Sequence, residues 1–169
     1  MKKFILSLSV CSMLLLFSNC TDKDRKMILE IPDAKFSAYL LENFDENADG
    51  KISLSEAKAV KEINCSGMEI EVLDGIEKFA NLVSLDCSNN KLDELELRYN
   101  KKLNKLVCTG NNVPLTIYIG MSSPLRNPDI RKPAANEPPQ NVNMAAKPVD
   151  ADKITYDEDK TNIMIYFDD

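Results

Sequence analysis

The 169-residue chain contains no histidine. That absence removes the usual base of a nucleophilic dyad and takes away one of the commonest zinc ligands. Positive charge is also short: 21 lysines and arginines face 27 aspartates and glutamates, a net charge of −6. Such a balance excludes the basic face that nucleic acid needs and disfavours attraction to anionic lipid. The apolar stretch from Phe4 to Phe17 falls short of the roughly 20 residues of a membrane span. With 44% apolar and 28% charged residues, what remains is the profile of a globular chain, long enough for one domain and too short for two large ones.

One short stretch has a sharp chemical meaning. Residues 45–56, DENADGKISLSE, place Asp45, Asn47, Asp49, Gly50 and Glu56 in the frame of a twelve-residue EF-hand calcium loop. A hard cation takes six to eight oxygens, and the frame supplies them by position. Asp45, Asn47 and Asp49 offer side-chain oxygens, Lys51 its backbone carbonyl, Ser53 a contact through water, and Glu56 both carboxylate oxygens. Gly50 permits the turn. Ile52, at the apolar eighth position, tucks beneath the loop. The flanks agree: Asp33 is a candidate N-cap ahead of Phe36, Tyr39, Leu40 and Phe44 at helical spacing, and EAKAVKE gives a short helix with Ala57, Val60 and Ile63 on one side. The chain holds no second loop of this kind, so the partner that normally bonds the eighth position is missing, and the first coil of the repeats described below is expected to cover Ile52.

From residue 60 the sequence repeats. VKEINCSGMEI, LVSLDCSNNKL and LNKLVCTGNNV begin at Val60, Leu82 and Leu103, with LDELELRYN from Leu92 as a weaker half-way copy. The intervals lie in the leucine-rich-repeat range. Each coil is read as two extended faces with alternate residues inward. Asn90, Asn100 and Asn111 would satisfy backbone groups at the turns, while Met68 interrupts that column in the first coil. Cys65, Cys87 and Cys108 share one inward position and act as small buried hydrophobes. Disulfides and a metal cluster are the alternatives, but three stacked thiols without histidine make a poor zinc site. The outward positions Glu62, Asn64, Ser66, Ser84, Asp86, Ser88, Lys105, Val107 and Thr109 lack aromatic and arginine anchors. The half-coil face, with Glu94, Glu96, Arg98 and Tyr99, is the more promising and is acidic.

The two ends carry their own signals. Lys2 and Lys3, the apolar run and then small or polar residues before Cys20 follow the layout of a secretory signal and resemble a bacterial lipoprotein signal, which implies acylation of Cys20. Phe17 and Asn19 depart from the lipoprotein box; Cys11 is the poorer candidate, and an ordinary cleaved signal or a short anchor is the alternative. Residues 121–150 hold six of the eight prolines and read as a linker. KITY and NIMIYF, around DEDKT, read as two short strands that can pair as a hairpin.

An EF-hand-like helical segment running into Cys/Asn-marked repeats resembles the exported leucine-rich-repeat lipoproteins of Bacteroidota. The reading is an α+β fold in six parts: signal peptide 1–19, lipid-anchored tether 20–27, EF-hand-like helical cap 28–63, a leucine-rich-repeat solenoid of about three coils over 60–120, Pro-rich linker 121–150 and short C-terminal strands 151–169. The resemblance implies a binding module rather than an enzyme and names no ligand; with the residue reading it gives a lipid-anchored surface module of the outer membrane, calcium as a structural clip, an unknown protein or glycan ligand, membrane contact through the lipid alone and no nucleic acid. A dockerin-like assembly module is the alternative; dockerins carry paired calcium loops, and this chain carries one.

Overall fold

The computed structural model of the chain describes residues 22–120, 122–125 and 153–156, with the backbone pairing of 161–166. The signal peptide, Cys20 and residues 126–150 of the Pro-rich segment lie outside the described residues. Three helices come first: α1 (Asp22–Lys26), α2 (Ala34–Phe44) and α3 (Leu54–Ala59). Asp33 caps α2 by accepting the N–H groups of Lys35 and Phe36 at 2.8 and 2.9 Å, which satisfies two of the donors a helix start leaves free. The expected second helix ends at Ala59. Val60 is its C-cap and Ile63 is already a strand residue, so the inward run Ala57, Val60, Ile63 crosses an element boundary while all three stay buried.

The stretch expected to be a tether instead holds α1, which is tied to α3 by the 2.8 Å ion pair of Asp24 with Lys58. Directly after it the chain is extended. Leu29 N donates to Ile52 O at 2.8 Å and Leu54 N to Met27 O at 2.7 Å, an antiparallel bridge between Ile28 and Ser53. The backbone partner of the eighth loop position is therefore this N-terminal segment, and not the first coil as expected. The physical reason is that the extended end of the loop leaves the Ile52 C=O and the Leu54 N–H unpaired, and the nearest free edge satisfies both.

The remaining chain alternates between two parallel sheets. Sheet one has the order β1 (Glu62–Asn64), β2 (Ser84–Asp86), β4 (Lys105–Val107), β6 (Ile154–Thr155). Sheet two has the order β3 (Glu94–Glu96), β5 (Leu115–Gly120), β7 (Thr161–Tyr166). A 3-10 turn at Ile76–Lys78 leads from the first coil toward β2. Pairing places Ile63, Leu85, Leu106 and Ile154 at one level of sheet one, and Leu95 and Ile117 in register in sheet two; all are at most 3% exposed. The period-two frame thus drives one residue in two into a continuous core, which short parallel strands could not build alone.

The tail departs from expectation. β6 and β7 do not pair with each other: β6 lies parallel to β4, and β7 parallel to β5 across Leu115–Gly120. The C-terminal residues therefore continue the winding by one further turn in place of a hairpin, and β5 is not the last strand. Apolar β5 edges and the carbonyls of the last coil would otherwise face water, and parallel addition satisfies both. Leu125, within the expected linker, is fully buried, and Lys153 Nζ donates to Pro124 O at 3.2 Å.

Candidate metal centre and its setting

The loop between α2 and α3 folds around its own acids. Asp45 accepts from Asp49 N at 3.2 Å and Gly50 N at 2.9 Å; Asn47 Oδ1 accepts from Asp49 N at 2.8 Å; Asp49 accepts from Lys51 N at 2.9 Å. Ala48 and Gly50 take positive φ, 56° and 75°, and the glycine does so without the Cβ penalty. Glu56 closes the loop: it accepts from Ser53 N at 2.8 Å and from Ser53 Oγ at 2.7 Å, and its other oxygen lies 3.4 Å from Asn47 N. Ser53 Oγ in turn accepts from Glu56 N at 3.2 Å, a capping box that starts α3. Ser53 and Glu56 are both buried.

Among the described residues no three carboxylate or thiol groups are gathered as one metal cluster; the loop's acids hold backbone N–H groups. The donor set nonetheless suits a hard cation. It is all oxygen, it contains the bidentate-capable Glu56, and the first and last thirds of the loop already meet through Glu56 and Asn47. Asp45, Asn47, Asp49, the Lys51 carbonyl, Ser53 and Glu56 are the residues that would hold such an ion.

The helical segment is bonded to the first coil at several points. Asp33, besides capping α2, accepts from Glu71 N at 2.9 Å and lies 3.4 Å from Val72 N. Burial opposes its ionised form, but the N–H groups of Phe36, Glu71, Val72 and Lys35 outweigh it and hold the carboxyl below its ordinary range. Lys35 Nζ donates to Glu69 O and pairs with its carboxylate at 3.0 Å. Tyr39 Oη accepts from Asn64 N at 3.0 Å, covering the open edge of β1; burial pushes the phenol up. Asn81 Nδ2 reaches Lys58 O at 2.7 Å. Tyr39 and Asp33 were legible only as helix residues; the contact of each with the coil is long-range, and only the Met27–Leu29 apolar run next to an unpartnered loop offered a signal for the bridge.

The asparagines bond across coils. Asn90 Nδ2 reaches Cys65 O and Cys87 O while its Oδ1 accepts from Met68 N and Ile70 N, all within 2.9–3.0 Å. Asn111 repeats the arrangement one coil on, from Cys87 O and Cys108 O to Leu92 N. Asn100 serves the other corner, donating to Ile76 O at 2.8 Å. Cys65, Cys87 and Cys108 are buried thiols in no disulfide among the described residues, at most 1% exposed. Burial raises the Cys65 thiol to about 12, and burial with its thiol neighbours raises Cys87 well above the ordinary range. Of the positions expected to face outward, Ser88 is buried and donates to Asp86 at 2.6 Å. On the half-coil face Arg98 pairs with Glu96 at 2.6 Å and stands 5.9 Å over the Tyr99 ring.

No protein-family model matches the chain, and no curated protein matches it. Among solved structures it is similar to the CBM51-2 and INT domains of Clostridium perfringens ZmpB, at 26% identity and TM-score 0.45 over 58% of this chain and 20% of that one. The same domains with GlcNAc bound give 28% identity and TM-score 0.46 over 57% and 20%. The functional domain of InlJ from Listeria monocytogenes, which includes a cysteine ladder, gives 28% identity and TM-score 0.46 over 50% and 19%. The match therefore spans about a fifth of the length of each. Among the described residues no helix is long and apolar enough to cross a membrane.

Proposed function

We propose that the chain is an exported, non-catalytic binding or scaffold module of the leucine-rich-repeat class, lipid-anchored through Cys20, in which calcium clips a helical cap onto the coils. Asp45, Asn47, Asp49, the Lys51 carbonyl and Glu56 hold the ion directly, with Ser53 acting through water. The single observation that carries the reading is the position of the loop. It joins the two helices that bond to the first coil, through Asp33 to Glu71 N, Tyr39 to Asn64 N and Asn81 to Lys58 O. A solenoid end exposes apolar edges and unpaired strand groups, and a cap that covers them must itself be held rigid. Calcium outside the cell stands at millimolar levels, so a site of this donor set is filled continuously and acts as a clip, not as a sensor. The ligand is a protein or a glycan met on an exposed coil face.

Two experiments test this. The mature chain, probed on glycan and protein arrays with calcium present, is expected to select a defined ligand; silence on both arrays overturns the binding role. Cells fed a clickable palmitate analogue are expected to label the wild-type chain and not Cys20→Ala. Label that persists in the variant, or never appears in wild type, overturns the lipid anchor.

A further inference from the structure

The two sheets begin differently. In sheet one the N-terminal edge is covered at one point: Cys65 N turns to Asp86 O, which leaves Asn64 N facing away from β2, and there Tyr39 Oη receives it. Sheet two has the same geometry without the cover. Thr116 N donates to Asp93 O at 2.8 Å and Leu97 N to Tyr118 O at 2.9 Å, so the alternate residues Glu94 and Glu96 turn their N–H and C=O groups away from β5. Among the described residues neither N–H has an acceptor. The first coil stays within bonding distance of the second at Lys91 N to Ile70 O, then bends off at the Leu73–Ile76 turn.

The bend is built into the sequence. Gly75 has φ 100°, a conformation that favours glycine, and Ile31 Cδ1 of the N-terminal segment packs where a Cβ would stand. What opens between that turn and β3 is a groove of about 1160 Å³, walled by Val72–Lys78, Glu30–Pro32 and the β3 edge. Glu30, Asp74, Asp93 and Glu94 line it with carboxylates that have no ion-pair partner among the described residues, and Tyr99, 57% exposed, stands at its rim.

We infer that this groove binds an extended, basic segment of a partner protein, which adds to sheet two as a strand along β3. The inference rests on the binding-module reading above and names its partner class. Main-chain groups of the segment pair with Glu94 and Glu96, the open edge supplying affinity independent of side chains. Its alternate side chains, lysine or arginine, meet the unpaired carboxylates, while Tyr99, with Arg98 already over its ring, borders the groove. An acidic or neutral strand is rejected, because it would bring like charge or no charge to four uncompensated carboxylates.

The test uses the calcium-loaded mature chain and a short synthetic peptide of alternating arginine and valine. Companion peptides carry glutamate for arginine, or N-methyl groups at alternate backbone nitrogens. Amide shifts are expected at residues 72–76 and 93–99, with Glu94 and Glu96 amides newly protected from exchange. Asp93→Asn combined with Glu94→Gln, both exposed positions, should weaken binding by about tenfold or more. The methylated and glutamate peptides should not bind. Equal binding of the methylated peptide overturns strand addition, since ionic attraction alone would then suffice. Protection of Glu94 and Glu96 in the free chain also overturns it, because the edge would already be taken by the chain's own residues. If the arrays yield a ligand but the peptide binds elsewhere or not at all, this inference alone fails; if the arrays are silent too, the reading beneath it fails with it.

Discussion

Replacing Glu56 by glutamine separates two jobs that one side chain performs. In the capping box its carboxylate accepts from Ser53 N and Ser53 Oγ at 2.8 and 2.7 Å, in a buried setting. A glutamine amide oxygen accepts the same N–H, and glutamine is a normal residue of this box, so the start of α3 survives with a loss of about 1 kcal/mol from the weaker neutral bonds. What glutamine cannot do is offer two anionic oxygens to a cation. Calcium bound to the folded state alone adds about 2.7 kcal/mol at a hundredfold excess over Kd. For a cooperative unit of roughly 100 residues that corresponds to a rise in Tm of about 10 °C or more. Melting curves in chelator and in calcium are therefore expected to show a large gap for wild type and little for Glu56→Gln, with the variant about 4–8 °C below wild type in chelator from the weaker cap. Glu56→Ala should be lower in both conditions, since it loses the box as well. Magnesium should not substitute, because it demands a tight octahedral shell. Hydrogen exchange should extend the effect past the loop to Cys65 N, which bonds Asp86 O at 2.9 Å just beyond α3. Identical melting in chelator and calcium, or a Glu56→Gln response equal to wild type, would falsify the clip. Loss of protection confined to residues 45–56 would leave an ion that serves a partner and not the cap.

Three further outcomes are expected. Tyr39→Phe removes the acceptor of Asn64 N; because water reaches that exposed amide, stability should fall by less than about 1 kcal/mol while exchange at Asn64 rises, and an unchanged rate there would refute the edge-covering role. The thiols of Cys65, Cys87 and Cys108 should resist alkylation at pH 8 in the native chain and all react after denaturation without reductant, since burial raises Cys65 to about 12 and Cys87 well above the ordinary thiol range; Cys87→Ala should cost about 1 kcal/mol, and a blocked thiol in the denatured, unreduced chain would refute the packing role. Asp33 has a carboxyl pKa held below its unfolded value, so its contribution is present above the unfolded pKa and is lost as pH falls through the lower folded one; acid titration of stability should lose part of its slope below about pH 4 in Asp33→Asn, and an unaltered slope would show that the carboxylate is not what binds Glu71 N.

Much of the architecture follows from local rules that a sequence states outright. Asp33 ahead of an apolar 3.6-residue stripe defines α2, and the frame that recurs at Val60, Leu82 and Leu103 decides which residues point inward; the helix read from Glu56 instead starts at Leu54, where Ser53 and Glu56 form a capping box. The asparagines bond where the repeat put them, because an amide at a turn can serve the carbonyl and the N–H of stacked coils at once. The ligand frame of the loop is equally local, twelve consecutive residues whose oxygens are assigned by position alone. What the sequence left open are pairings between segments far apart in the chain. The bridge from Ile28 to Ser53, the hydroxyl of Tyr39 on Asn64 and the parallel docking of β6 on β4 and β7 on β5 depend on which free edge a segment meets once the core has formed. A two-strand tail reads as a hairpin when only neighbours in sequence are considered, but β4 and β5 offer two waiting edges, and each strand took one. The bare edge of β3 is long-range too: it faces, across a groove, the turn at Gly75, which packs on Ile31 forty-four residues earlier in sequence.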